Sequence, residues 1–92
     1  MNEIVAAVLR GAILKFLDAA GVAMNDEVIA ASLSSVGHPA ARRTVREALE
    51  WLADRGLVAT TEAGPYLVAD ITDDGRDVAA RRLAVDGVER VR

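Results

Sequence analysis

The sequence predicts a mainly α-helical fold with a small β-hairpin. Apolar residues recur every three or four positions in three segments of the N-terminal half, which is the spacing of amphipathic helices. Beyond Gly56 the pattern changes to two short β-branched runs on either side of a turn at Ala63, Gly64 and Pro65. A length of 92 residues is typical of one domain, and we expect a single domain over 1–92.

The first helix is predicted over residues 3–20, with Gly21 as its stop. Charged residues interrupt the apolar run, which therefore indicates an amphipathic helix and no membrane span. The apolar stripe is wider than one small core covers, so we expect a homodimer that pairs this helix and the C-terminal helix of two copies. Two neighbouring rows form the stripe: Ile4, Val8, Ala12 and Phe16 beside Val5, Leu9, Ile13 and Leu17.

Two more helices are predicted before the hairpin. Asn25 is a good N-cap for a helix over 25–36, and the acidic residues directly after it suit the positive end of the helix dipole. Pro39 favours the first turn of a third helix over 39–55. The inner face of this third helix is formed by Ala41, Val45, Ala48, Leu49 and Leu52.

The hairpin is predicted over 57–71 and a fourth helix over 73–85. Gly64 lies in the turn between the two strands, and the runs on both sides are short and β-branched. Thr72 is placed to cap the fourth helix, whose first turn is acidic. Its predicted inner face consists of Val78, Ala79, Leu83 and Val85.

The predicted order of elements is that of a winged helix-turn-helix, in which a three-helix bundle carries a two-stranded wing and a C-terminal helix. Residues 44–58 (TVREALEWLADRGLV), Tyr66 and residues 71–79 (ITDDGRDVA) resemble winged-helix regulators of the MarR, PadR and ArsR kind, over most of residues 3–84. A second resemblance is to small proteins of Mu-like prophages that are described as ArsR-like. The resemblance implies a dimeric transcription regulator whose third helix reads the major groove of double-stranded DNA.

Candidate DNA-binding residues lie around the start of the third helix. If Val45 points inward, Arg43 and Arg46 point outward and Arg42 lies on the flank. Arginine suits bidentate contact with guanine, and a hydroxyl or imidazole at the helix start can bind phosphate or a base edge. The competing interpretation is a solvated face on which Arg43 and Arg46 pair with the glutamates four positions along. The predicted site consists of His38, Arg42, Arg43, Thr44 and Arg46.

The charge of the hairpin keeps a second class of function open. The chain carries a net charge of −3, and the hairpin holds Glu62 and Asp70 but no Lys or Arg. DNA-binding proteins neutralise phosphates with basic residues, so this hairpin departs from the DNA-binding members of the fold. The alternative is a winged-helix protein–protein interaction module in a phage or prophage assembly or packaging complex.

Enzymatic chemistry is not expected. The sequence has no glycine-rich phosphate loop and no nucleophile with a histidine base. His38 is the single histidine and the chain has no cysteine, so we expect neither a metal site nor a cofactor. The lack of cysteine also fits a reducing compartment, and we expect a cytoplasmic protein. Trp51 is expected to be partly buried on the flank of the third helix.

Overall fold

The computed structural model describes residues 2–89. Within this range four helices and a three-stranded antiparallel sheet form a small α+β fold, with one strand more than the sequence predicts. The elements follow the chain as α1 (Glu3–Ala20), β1 (Met24–Asn25), α2 (Asp26–Ser35), α3 (Arg42–Asp54), β2 (Val58–Ala63), β3 (Tyr66–Ile71) and α4 (Asp73–Ala79).

β3 is the central strand of the sheet. It pairs with β2 through a tight turn in which Ala63 lies opposite Tyr66. Gly64 adopts a left-handed conformation in this turn, with a φ of 59°. On its other side β3 pairs with β1, where Met24 lies opposite Ala69. The sequence does not predict β1, because two residues are too few to show an alternating pattern.

Side-chain caps start α2 and α4 as predicted. Asn25 Oδ1 accepts the N–H of Val28 at 2.8 Å, and Thr72 Oγ1 accepts the N–H of Gly75 at 3.1 Å. α1 has the predicted bounds, and Gly21 ends it in a left-handed conformation with a φ of 70°. These three helices are therefore set by local signals.

The predicted start of α3 is wrong. The helix begins at Arg42 rather than at residue 39, because His38 and Pro39 belong to the loop that follows α2. In that loop the N–H of His38 donates to the carbonyl oxygen of Leu33 at 2.8 Å, which satisfies the end of α2. His38 therefore terminates one helix and does not cap the next.

The predicted end of α4 is also wrong. The helix stops at Ala79 rather than at residue 85, because Arg81 adopts a left-handed conformation with a φ of 66° and turns the chain. The following residues, 80–89, form a tail that returns to α1. There the N–H of Glu89 donates to the carbonyl oxygen of Ala7 at 3.0 Å.

The tail reduces the apolar surface of α1 that is available for the expected dimer interface. Val85 and Val88 pack against the core, so the tail covers part of the wide stripe of α1 within the same chain. Within residues 73–89 the only helix is the short α4, so the longer C-terminal helix that we expect to pair two copies is not formed there. Self-association through α1 stays a prediction, carried by the exposed side chains of Ile4 and Val5.

The core is aliphatic and lies among α1, α2, α3 and the sheet. Its fully buried side chains come from every one of these elements, which fits a sequence with few aromatic residues. No helix within residues 2–89 is long and apolar enough to cross a bilayer. The largest buried apolar side chains are Ile13, Leu14, Leu17, Ile29, Leu33, Val45, Leu49, Leu52, Leu57 and Val78.

We predict that Leu49→Ala strongly destabilises the protein. Leu49 is fully buried in α3, and removing a buried leucine costs about 2 to 5 kcal/mol. Urea unfolding measures the loss, with the exposed Val36→Ala as the matched control that changes stability by less than about 0.5 kcal/mol. Equal unfolding midpoints for the two variants would show that the inward face of α3 has been assigned incorrectly.

Candidate nucleic-acid interface

α3 is strongly amphipathic and is held by its apolar face. Val45, Ala48, Leu49 and Leu52 are buried at spacings of three and four residues. The opposite face is directed at solvent, and Arg43 is exposed on it. Of the five residues that the sequence assigns to DNA, Arg43 therefore lies on the outer side of α3.

Asp26 connects three parts of the fold. It is the first residue of α2, and its side chain has an exposed fraction of 0%. Oδ1 accepts the backbone N–H of Leu67 in β3 at 3.2 Å. Oδ2 accepts Arg42 Nε at 3.0 Å and Arg46 Nη1 at 3.4 Å. One buried carboxylate thus joins the start of α2, the central strand and the first turns of α3.

Arg42 and Arg46 also bind the hairpin. Arg42 Nη2 donates to the carbonyl oxygen of Pro65, and its guanidinium lies 5.0 Å from the centre of the Tyr66 ring. Arg46 donates to the same carbonyl at 3.4 Å and to Glu62 Oε1 at 3.1 Å. The two arginines therefore fasten α3 to the turn between β2 and β3.

The pKa of Asp26 is lowered by these contacts. Burial alone raises the pKa of this carboxyl. The opposing contributions are larger in sum: they are the hydrogen bonds from Arg42 and from the N–H of Leu67, the charge of Arg42, and a hydrogen bond from Arg46. The net pKa lies below the ordinary value of 3.8. The hydrogen bond to Asp26 in turn raises the pKa of Arg42.

The sequence predicts that Arg46 points outward and is available to DNA, but in the structure its charge is paired within the chain. Its guanidinium does not project freely into solvent, and it pairs with Asp26 and Glu62 in place of the glutamate four positions along α3. Arg43 is exposed and makes no hydrogen bond or ion pair within residues 2–89, so its predicted intrahelical pair is not formed. Arg43 is the member of the predicted site whose charge is fully available to a partner.

The remaining predicted site residues face elsewhere. Thr44 lines a cavity between α1 and α3, and His38 lines grooves between α1 and the loop after α2. Arg42 and Arg46 face the hairpin instead. The structure therefore does not bring the five residues together on one surface.

Negative charges balance the positive ones around α3. Glu47, Glu50 and Asp54 are exposed along the same helix as the arginines. The surface thus shows no excess of positive charge. Within α3, three positive charges come from Arg42, Arg43 and Arg46, and three negative charges come from Glu47, Glu50 and Asp54.

A second arginine cluster surrounds Trp51, which is partly buried as predicted. The guanidinium carbons of Arg10 and Arg55 lie 4.0 Å and 3.7 Å from the centre of the Trp51 ring. At these distances the two cations must occupy opposite faces of the ring. Gly87 of the tail lies so close that a Cβ there would come within 2.6 Å of the ring.

Arg10 is the important residue that sequence reasoning missed. It is buried within α1, and its Nη1 donates to Glu3 Oε1 at 2.6 Å and to the Gly87 carbonyl oxygen at 2.9 Å. The available signal was a charged residue inside the most apolar segment of the chain. In the sequence that charge only interrupts the apolar run, which indicates an amphipathic helix.

One relative matches over the whole chain. It is described as "Uncharacterized protein gp26" of Escherichia phage Mu and is 33% identical over 92 residues, which are 100% of this chain and 96% of gp26. The chain belongs to the gp26 family. No protein-family profile and no solved structure matches this gp26-family chain. The matched region includes α1 to the tail, and therefore both arginine clusters.

Metal binding has no structural support in the described part of this gp26-family protein. Between residues 2 and 89, no three His, Cys, Asp or Glu side chains are placed to share a metal ion. The carboxylate of Asp26 has arginine and amide partners instead. The chemistry around α3 is therefore that of ion pairing and hydrogen bonding.

We predict that Asp26 gives the gp26-family protein a pH-dependent stability. Because its pKa is lowered by folding, its contribution is present above pH 3.8 and is lost as the pH falls from there through the folded pKa. Asp26→Asn should lower the free energy of unfolding by about 1 to 3 kcal/mol at neutral pH. This loss is smaller than for a fully buried ion pair, because Arg42 and Arg46 are 38% and 32% exposed and water screens their charges.

Urea unfolding between about pH 7 and pH 3 tests this contribution. Wild type should lose more stability than Asp26→Asn across the acid range, so the difference between them should shrink as the pH falls. Asp54→Asn is the matched control, because Asp54 is exposed and should leave the wild-type profile unchanged. Parallel profiles for wild type and Asp26→Asn would contradict the assignment.

Proposed function

We propose that the protein is a winged-helix interaction module that binds another protein in a phage assembly or packaging complex. The order of three helices followed by a hairpin supports a winged helix-turn-helix. β1 fits this topology as a third strand beside the hairpin. The fold alone supports either DNA or protein binding, so the choice depends on the surface of α3.

The pairing of α3 arginines within the chain is the observation that carries the proposal. Binding to duplex DNA depends on basic residues that replace the counterions of phosphates. Arg42 and Arg46 already bind Asp26, and Arg46 also binds Glu62. A phosphate would have to compete with these carboxylates. Arg43 alone offers too little charge to hold a duplex at physiological salt.

The exposed charge of α3 indicates the chemistry of the partner. Glu50 and Asp54 lie four residues apart and are both exposed, so they share one face of the helix. Carboxylates at the edge of an interface attract a positively charged partner and increase its rate of association. We therefore expect the partner to present a basic surface to this end of α3.

The phage relative supports the biological setting. Protein gp26 is encoded by Escherichia phage Mu, and its match covers nearly the whole of both chains. A phage or prophage protein that acts during particle assembly works inside the host cell. A chain without cysteine fits that reducing compartment.

DNA binding by a dimeric transcription regulator is the second candidate. Arg43 favours it, because this side chain is exposed and unpaired within residues 2–89 on the outer face of α3. Arg42 and Arg46 retain exposures of 38% and 32%, so part of each guanidinium is accessible to a phosphate. A dimer through α1 would present each of these side chains twice.

We predict that charge reversal at Glu50→Lys with Asp54→Lys removes the partner. Tagged protein would capture phage-encoded proteins from phage-induced cells, and mass spectrometry would quantify them. Recovery of the partner should fall by about tenfold or more, because the reversed charges repel a basic surface. The control is Asp74→Lys with Asp86→Lys, two exposed residues of α4 and the tail, which should capture as wild type does.

Fluorescence anisotropy with random and phage-genomic duplexes separates the two candidates. The interaction module predicts no saturable binding between about 50 and 200 mM salt. Saturable, salt-dependent binding that Arg43→Ala weakens by about 1 to 3 kcal/mol would instead establish the DNA candidate. Equal capture by the α3 variant and its control would contradict the assigned surface.

A further inference from the structure

We propose that the cavity between α1 and α3 binds a free α-amino acid, with Arg10 as the anchor for its carboxylate. The cavity has a volume of about 400 Å³, which is within the range of small-molecule sites. It lies on the α1 side of α3, away from the hairpin that binds Arg42 and Arg46. It is lined by Glu3, Ala6, Leu9, Arg10, Thr44, Glu47, Ala48 and Trp51.

Arg10 is a fixed cation with unused donors. The residue is only 8% exposed, and the Trp51 ring lies against its guanidinium at 4.0 Å. Both of its hydrogen bonds within residues 2–89 leave from Nη1, to Glu3 and to Gly87. Its Nε is buried and has no hydrogen-bond partner in the same range. A preorganised guanidinium with free donors is a site for a planar anion.

Glu3 occupies the place that a ligand carboxylate would take. Its Oε1 lies 2.6 Å from Arg10 Nη1, yet its side chain is 71% exposed. A tethered, exposed carboxylate that touches a buried cation through one oxygen can be exchanged for a free one. The free carboxylate can bind two N–H groups of the guanidinium at once, which Glu3 does not do.

The charges of the lining select an amino acid over a simple acid. Once a ligand carboxylate replaces Glu3 on Arg10, Glu47 remains as an exposed carboxylate at the cavity. A simple anion is repelled by Glu47, whereas an ammonium group on the same ligand pairs with it. The Thr44 hydroxyl provides a further hydrogen-bonding group. The small side chains of Ala6 and Ala48 leave room at the wall for the side chain of the amino acid.

Trp51 reports directly on this site, because it is the single tryptophan of the chain and lines the cavity. The full chain is titrated with L-alanine, acetate and ethylamine while Trp51 fluorescence is recorded, and calorimetry is run in parallel in case the fluorescence is silent. L-Alanine should bind saturably in the millimolar range, about tenfold more tightly than acetate or ethylamine. The readout needs neither DNA nor a protein partner, so it stands apart from the proposed function.

Two conservative variants distinguish a binding site from a structural cluster. Glu3→Gln removes the internal competitor and should strengthen L-alanine binding by about fivefold, whereas a purely structural ion pair predicts no gain. Glu47→Gln should weaken L-alanine binding by about tenfold and leave acetate binding no weaker. Both residues are exposed, and circular dichroism checks that the variants remain folded.

Each possible outcome either supports or overturns the proposed amino-acid site. Saturable L-alanine binding that Glu3→Gln strengthens and Glu47→Gln weakens supports it. No heat and no fluorescence change with either wild type or Glu3→Gln would overturn the site. Acetate binding as tight as that of L-alanine would overturn the assignment of the ligand class.

Discussion

The position of α3 depends on one buried carboxylate. Asp26 has no exposed surface, and its two oxygens accept hydrogen bonds from β3 and from two arginines of α3. An unpaired buried charge is costly, and removing one partner of such a pair commonly costs about 3 to 5 kcal/mol. The carboxylate is therefore stable only where Arg42 and Arg46 reach it. This requirement fixes the start of α3 against the sheet and the hairpin.

The same requirement decides what α3 offers to a partner. Arginines that satisfy Asp26 and Glu62 contribute little net positive potential outside the protein. A helix with basic residues on its outer face is thereby converted into a surface of mixed charge. The acidic residues farther along α3 then dominate, which supports a protein partner over a duplex.

The sequence predicts elements whose signals are local. Two apolar rows define α1, and the caps at Asn25 and Thr72 define the starts of α2 and α4. β1 and the returning tail escape prediction because their contacts, with β3 and with Ala7, join residues far apart in the chain. The hairpin of β2 and β3 is predicted from its turn, whereas β1, which pairs with β3, is not predicted.

The sequence predicts the arginines of α3 as site residues, but it predicts neither Asp26 nor Arg10. Asp26 fits the positive end of a helix dipole, and that local explanation conceals its burial. Its arginine partners are 16 and 20 residues away, so no spacing rule connects them. Arg10 presents the same difficulty, because its ring and carbonyl partners come from α3 and from the tail.

A double-mutant cycle between Asp26→Asn and Arg46→Ala, read by urea unfolding, tests the central role of Asp26 most directly. If Asp26 joins the two elements, the two losses of stability are not additive and show a coupling of about 1 to 3 kcal/mol, because both variants break one network. Arg43→Ala in place of Arg46→Ala should be additive with Asp26→Asn, since Arg43 lies outside that network. Additivity of Asp26→Asn and Arg46→Ala within about 0.5 kcal/mol would show that Asp26 does not hold α3 through Arg46.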